Sequence, residues 1–395
     1  MERLDHDVVA SLIALRRDLH RHPELRFEEI RTASMVADYL QEFGLEAETV
    51  AVTGLVARLR ASRPGPHVLL RADMDALPTP DLTAAEYASH KPGVAHACGH
   101  DVHTTVVAGV AEALARRPLQ KGRVTFVFQP AEEIPFGETS GGAAVLETGV
   151  LDDVDVVLSL HCWPALPVGT IGVDQDVAMA TKHAFKISVH GSGAHAATPS
   201  RGKDAVLAAS SIVLGLNVLL GRETDSGARA ALNVGTIAGG RSQSIVAPNA
   251  ELTGTIRSVD QGVGLRLRDA VERVAAGTAA AVGVEAVVDW KNEMPAVRND
   301  PGLVRRAIEV LAAHPVLALE VLDDPPMTAD DFALYAERRP GLYLKLGVRS
   351  PDGTLGSRSL HDGRFDVDEN ALEAGVLGLV ALIDDLLEHG WGDAP

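Results

Sequence analysis

HACGHDVHTTVVAGVAEALARRPLQKGRVTFVFQPAEE, residues 96–133, sets the reading of the chain. It opens with Cys98 and His100, two positions apart, with His96, Asp101 and His103 around them. Thiolate and imidazole suit zinc and its neighbours among the divalent metals. Residues two apart do not share a helix face, so Cys98 and His100 must converge from a loop. Asp101 then reads as the N-cap of an apolar helix. The stretch closes on VTFVFQP, a near-continuous apolar strand, followed by Glu132 and Glu133. A buried helix leading into a fully apolar strand is the signature of a sheet covered on both faces.

The same rhythm extends on either side. HVLLRADMDALP (67–78) begins as a buried strand and ends in Asp73 and Asp75, and DVDVVLSLH (153–161) is another buried strand, ending on His161. Upstream, residues 5–23 form an amphipathic helix stopped by Pro23, whose His20 and His22 cap or pack. A second helix covers about 28–43, and GLVARLRA (54–61) is a strand. Alternating helices and apolar strands predict an α/β fold with a mixed, mainly parallel sheet and helices on both faces.

Near residue 182 the pattern changes to strand, long helix (202–223), two strands, helix (263–282) and strand, a split βαβ order. Residues 182–292 therefore read as an inserted α+β domain of a normal small size. The catalytic domain is then discontinuous, 1–181 and 293–395. It resumes with helices at 300–314 and 329–338, the strand GLYLKLGV and a last helix from Glu369 to about Glu388.

At 395 residues more than one core is expected. The net charge of -18 argues against nucleic acid as a partner. No run is apolar enough to span a membrane, and the charged start shows no secretory signal. Two cysteines, Cys98 and Cys162, make no disulfide framework and fit a reduced cytoplasm.

Asp73, the Glu132–Glu133 pair and His161 all follow or end apolar strands. Ligands bind beyond the carboxyl ends of strands in open α/β sheets, so topology gathers these groups with Cys98 and His100. Singly, each is equally well a solvated carboxylate or a core histidine. Adjacent carboxylates repel unless a cation lies between them. If one of the pair holds a metal, the other is placed as a general base. His361 and His195 lie far downstream. Gly191–Ala196 matches a dinucleotide fingerprint nominally, but Pro199 and Gly202 interrupt the helix it needs.

LRRDLHRHPELRFEE, RADMDALP, HACGHDVH, QPAEE, LHCWP, GSGAHAATP, GTIRS, DDFA and SLHDGRFDVDE occur in this order. Together they resemble the metal-dependent aminoacylase and carboxypeptidase family, in the branch of N-acyl-amino-acid amidohydrolases, hippurate hydrolases and auxin-conjugate hydrolases. The resemblance implies two divalent metal ions, zinc first, with manganese, cobalt or nickel as alternatives. The implied ligands are Cys98, His100, Glu133, His161 and His361, with Cys98 bridging and Asp101 in reserve. Glu132 matches the general base and Asp73 an aspartate supporting the site from behind. Arg71 stands where other branches carry a metal-binding histidine. The insert is implied to act as lid and dimerisation domain, with His195 reaching the reacting carbonyl of the neighbouring subunit. Asn249 and Arg257 match groups that hold the substrate, Arg257 on its α-carboxylate. Asp330 replaces a commoner glutamate, and the segment after Glu133 is longer than in many relatives. The implied reaction is hydrolysis of an N-acyl amino acid in a homodimer or higher oligomer. The alternatives are a dipeptidase or carboxypeptidase on the same site, and a non-catalytic metal-binding protein on this fold.

Overall fold

The computed structural model describes residues 3–392. Helices α1 (His6–Arg21) and α2 (Ile30–Gln41) lead into strands β1 (Ala47–Val50), β2 (Gly54–Arg60) and β3 (His67–Asp73). Helix α3 (His100–Ala115), strand β4 (Arg123–Gln129), helix α4 (Gly141–Leu146) and strands β5 (Val156–Pro167), β6 (Thr170–Asp174) and β7 (Val177–Met179) follow. The next group is β8 (Thr181–His190), α5 (Ala205–Asn217), α6 (Leu220–Glu223), β9 (Ala230–Gly239), β10 (Asn249–Ser258), α7 (Gln261–Ala281) and β11 (Glu285–Met294). The chain ends with β12 (Val297–Arg298), α8 (Pro301–Ala312), β13 (Ala318–Leu322), α9 (Ala333–Ala336), β14 (Gly341–Arg349) and α10 (Asn370–His389).

The large sheet runs β1-β2-β4-β3-β5-β14-β6-β13. Its centre, β4-β3-β5-β14, is parallel, and antiparallel pairs join β2 to β4 and β14 to β6. Every residue of β3 is buried, as a central strand covered on both faces must be. One face packs on α1, α3, α8 and α10, through Leu12, Val106, Leu311 and Leu382 among others. The other packs on α4 and α9, through Val145, Phe332 and Tyr343. Helix α3 is buried at every residue but its last, and its buried polar side chains, among them Asp101, His103 and Glu112, are taken up by hydrogen bonds.

The second sheet, β11-β8-β10-β9, is antiparallel throughout. Helices α5 and α7 cover one face over Phe185, Ile187, Val189, Leu252 and Ile256. Side chains alternate along a strand, so Lys182 on β8 and Arg257 on β10 point to the opposite face. The two are directly paired across the strands.

Local expectations fail where side chains find other partners. Asp101 does not cap α3: the helix starts at His100 behind Gly99, whose φ is +85°. A Cβ at Gly99 would stand 2.8 Å from Cys162 Sγ, so glycine is required by both conformation and space. The Asp101 carboxylate instead accepts from Arg16 Nε and His20 Nδ1, each at 2.8 Å. The helix expected over 202–223 breaks into α5 and α6, and that over 329–338 shrinks to Ala333–Ala336. Strands β1, β6, β7, β12 and β13 are additional to the sequence reading, all five residues or shorter. Among the described residues no helix is long and apolar enough to cross a membrane.

Candidate metal centre

The loop before α3 delivers Cys98 and His100, the middle of β5 delivers His161, and the turn after β4 delivers Glu132 and Glu133. His361 arrives on the loop before α10, where its backbone N–H donates to Ala97 O at 2.7 Å and ties the two loops together. Cys98, His100 and His161 place one ligand atom each within 4.8 Å of one another, and so do Cys98, Glu133 and His361. The Cys98 thiol is common to both trios. Its Sγ lies 3.5 Å from His161 Nε2, and His361 Nε2 lies 2.9 Å from Glu133 Oε1.

Hydrogen bonds fix which nitrogen of each ring is free. His161 Nδ1 donates to Cys162 O at 2.9 Å, leaving the Nε2 lone pair toward Cys98. His100 Nδ1 donates to Asp75 Oδ1 at 3.2 Å, and its buried Nε2 has no hydrogen-bond partner. A buried ring nitrogen with nothing to bond is unfavourable unless a ligand takes it up. Burial holds the His161 pKa well below the ordinary imidazole value, which keeps the neutral, ligating form. Burial also pushes the Cys98 thiol up, so an added cation is what would make it a thiolate. Soft and borderline donors with open lone pairs around a shared sulfur fit a pair of divalent cations. His103 is different: Nδ1 donates to Asp73 Oδ1 at 2.6 Å and Nε2 accepts from Cys162 N–H at 2.8 Å, so neither nitrogen is open.

Asp75 organises the floor. Besides His100 it accepts the backbone N–H groups of Glu132 and Glu133, at 3.0 and 2.9 Å. One carboxylate thus orients an imidazole and the turn bearing both glutamates. Ala131, just before them, sits at φ +51°, and its N–H donates to Glu29 Oε1 at 2.9 Å. Glu132 is half-buried, and burial, then Glu133, then Asp330 raise its pKa well above the usual carboxylate range. Burial would raise Glu133 as well, but its bond to His361 pulls it down. The two neighbours are driven apart in proton affinity, as an acid–base residue beside a ligand requires.

Arg71 does not ligate. It is fully buried and bonds Asp73 Oδ2 and Asp331 Oδ1 at 2.7 Å, with Asp330 at 3.3 Å and Gln129 at 3.0 Å. Asp73 therefore sits behind the site, between Arg71 and His103, with His100 Nε2 3.7 Å away. Asp101, the alternative bridging group, turns to Arg16 and His20 instead.

A cavity of about 260 Å³ opens over this cluster, lined by Cys98, Glu132, Glu133, His161 and His361 from the large-sheet side and by Lys182 and Arg257 from the second sheet. Asp330 and Met294 also line it. Arg257 Nη1 is buried without a partner. Asn249 and His195 are not in the cavity of this chain. Asn249 begins β10, opposite His190, while Arg257 stands near its other end. His195 is exposed, its Nδ1 accepting from Ala197 N–H at 3.0 Å. Sequence pattern alone assigns Asp75 no role and does not single out Lys182. The signal for Lys182 is its odd spacing from the apolar positions 185, 187 and 189, which puts it on the face opposite to them, the face of Arg257.

A profile of the peptidase family M20/M25/M40 matches residues 69–385. The chain is 37% identical over 364 residues to an N-acetylcysteine deacetylase of Bacillus subtilis, covering 91% of this chain and 93% of that protein. It is 33% identical over 385 residues to thermostable carboxypeptidase 1 of Saccharolobus solfataricus, covering 95% and 96%. The crystal structure of a dinuclear metal-binding M20 peptidase from Bacillus subtilis superposes with a TM-score of 0.82 at 34% identity, covering 97% of this chain and 99% of that one. The chain belongs to the peptidase family M20/M25/M40, hydrolases of amide bonds.

Proposed function

We propose that the protein hydrolyses the amide of N-acyl-L-amino acids to a carboxylic acid and a free amino acid. The observation that carries this is the Cys98 thiol standing in two ligand trios, with Glu132 beside them and Arg257 across the same cavity. Cys98, His100, Glu133, His161 and His361 would hold two divalent cations, zinc by donor softness, with manganese, cobalt or nickel by availability. Bound there, the cations would supply Lewis acidity to the acyl carbonyl and acidify a water. Glu132 takes the proton of the attacking water and returns it to the departing nitrogen; its raised proton affinity suits both steps. Arg257 receives the α-carboxylate in its fork. Asp73 and Asp75 keep the imidazoles in their ligating orientation. Residues 182–292 form the lid and the dimer contact, and His195 of a neighbouring copy supports the oxyanion, with Asn249 also serving a substrate. Two free cysteines and these metabolites suit a reducing cytoplasm.

The test is Glu132→Gln. Metal content is expected to stay as in the wild type while turnover of N-acetyl- and N-benzoyl-amino acids falls by about 10²–10⁴-fold. Wild-type turnover in that variant contradicts the base assignment. The named relatives include both a deacetylase and a carboxypeptidase. A preference for aminoacyl- over acyl-amino acids in the same panel would make the protein a dipeptidase.

A further inference from the structure

We propose that the cavity selects N-acyl derivatives of an acidic amino acid, aspartate or glutamate, with Lys182 taking the second carboxylate beside Arg257. This rests on the hydrolase reading above and narrows it to a substrate class.

Lys182 and Arg257 are directly opposed across β8 and β10, and both line the cavity. Like charges directly opposite on neighbouring strands destabilise a sheet. Both side chains are half-buried, which adds a desolvation cost. Neither makes a hydrogen bond or ion pair with any described residue, and Arg257 Nη1 is buried with no hydrogen-bond partner. Elsewhere the fold pairs its buried cations: Arg16 with Asp101 and Asp366, Arg71 with Asp73 and Asp331, Lys345 with Asp174. Lys182 and Arg257 lack such a partner, and both line the cavity over the candidate metal centre.

Their number matters. One guanidinium binds one carboxylate bidentately and uses both of its oxygens. An N-acyl amino acid with a neutral side chain would therefore satisfy Arg257 and leave the ammonium without its own anion. The acids that face the cavity do not close this gap. Glu132 and Glu133 attract both cations across the cavity, but among the described residues no carboxylate comes within ion-pair distance of either, and Asp330 is turned to Arg71 and Tyr343. A dianionic substrate neutralises them. Cross-strand neighbours lie about 4.5–5.5 Å apart at Cβ, so the two carboxylates must be close together. The α- and side-chain carboxylates of aspartate and glutamate meet that span.

The test uses the metal-free protein, which cannot turn over its ligand, and titrates N-acetyl-L-glutamate against its near-isosteric amide N-acetyl-L-glutamine by calorimetry. The acid is expected to bind at least about tenfold tighter, a difference of about 1.4 kcal/mol. That ratio is expected to fall to near one in Lys182→Met and to persist in Lys182→Arg. Equal affinities in the wild type, no detectable binding of the acid, or a ratio that survives Lys182→Met overturns the proposal. The metal-loaded enzyme separates this failure from that of the broader reading. Equal kcat/KM for the acid and the amide removes the Lys182 role and leaves an amidohydrolase. No hydrolysis of either, nor of N-acetyl-leucine, removes the hydrolase reading itself.

Discussion

Asp75 accepts from His100 Nδ1 and from two successive backbone N–H groups, and its partners are the groups that would face the metals and the water. Such supporting carboxylates commonly govern metal affinity by 10–100-fold. Asp75→Asn puts an N–H where donors already point, and it is expected to weaken metal retention by about that factor, read by competition with a chelator. Unchanged retention would mean that the ring is oriented by packing alone. At this scale the sequence was informative where spacing was tight. Cys98, His100, Glu132 and Glu133 occur within one stretch, and His161 ends a run of apolar residues. The structure brings these groups together with His361. It was uninformative where the partner is remote: Arg71 meets Asp330 and Asp331 some 260 positions away, and nothing local marks that pairing. Asp101 misled for the same reason, because Arg16, on another helix, claims the carboxylate that would otherwise cap α3.

The turn between β4 and α4 is held from outside by the start of α2. Glu29 is buried, accepts from Thr53 Oγ1 at 2.5 Å and from Ala131 N–H at 2.9 Å, and so fixes the strained residue preceding Glu132. Burial raises its pKa to about 7, above the ~4.3 of a free glutamate. Between those values the folded protein keeps a proton that the unfolded chain has lost. The stabilisation is complete below about pH 4.3 and is lost as pH rises through 7. The wild type is therefore expected to lose up to roughly 4 kcal/mol relative to Glu29→Gln over this window. Urea unfolding of both proteins at several pH values checks it; parallel curves would contradict it. Long elements such as α3, β4 and α10 were legible because burial on one or both faces writes itself into the residue pattern. The short strands β7, β12 and β13 were not, since two to five residues carry too little periodicity against their neighbours' context.

Over the whole molecule, one chain brings Cys98, Glu133, His161, His361, Glu132 and Arg257 to a single cavity, sets His100 beside Cys98 and His161, and leaves His195 and Asn249 outside it. That distribution supports an assembly in which a second copy supplies His195, a relation that no pattern along one chain can display. It predicts complementation. Glu132→Gln and His195→Ala should each be inactive alone, and a refolded equimolar mixture of a dimer should regain about a quarter of wild-type sites, because half the dimers are mixed and each has one intact site. Activity no greater than the sum of the two parents would put His195 to work in its own subunit or not at all. Cys98 stands where two trios of donors meet, and a pair of cations there would share its sulfur. Elemental analysis of the purified, metal-loaded protein beside Cys98→Ala decides this. Two divalent ions per chain are expected in the wild type and at most one in the variant; fewer than two in the wild type, or two in both, would rule out the shared thiol.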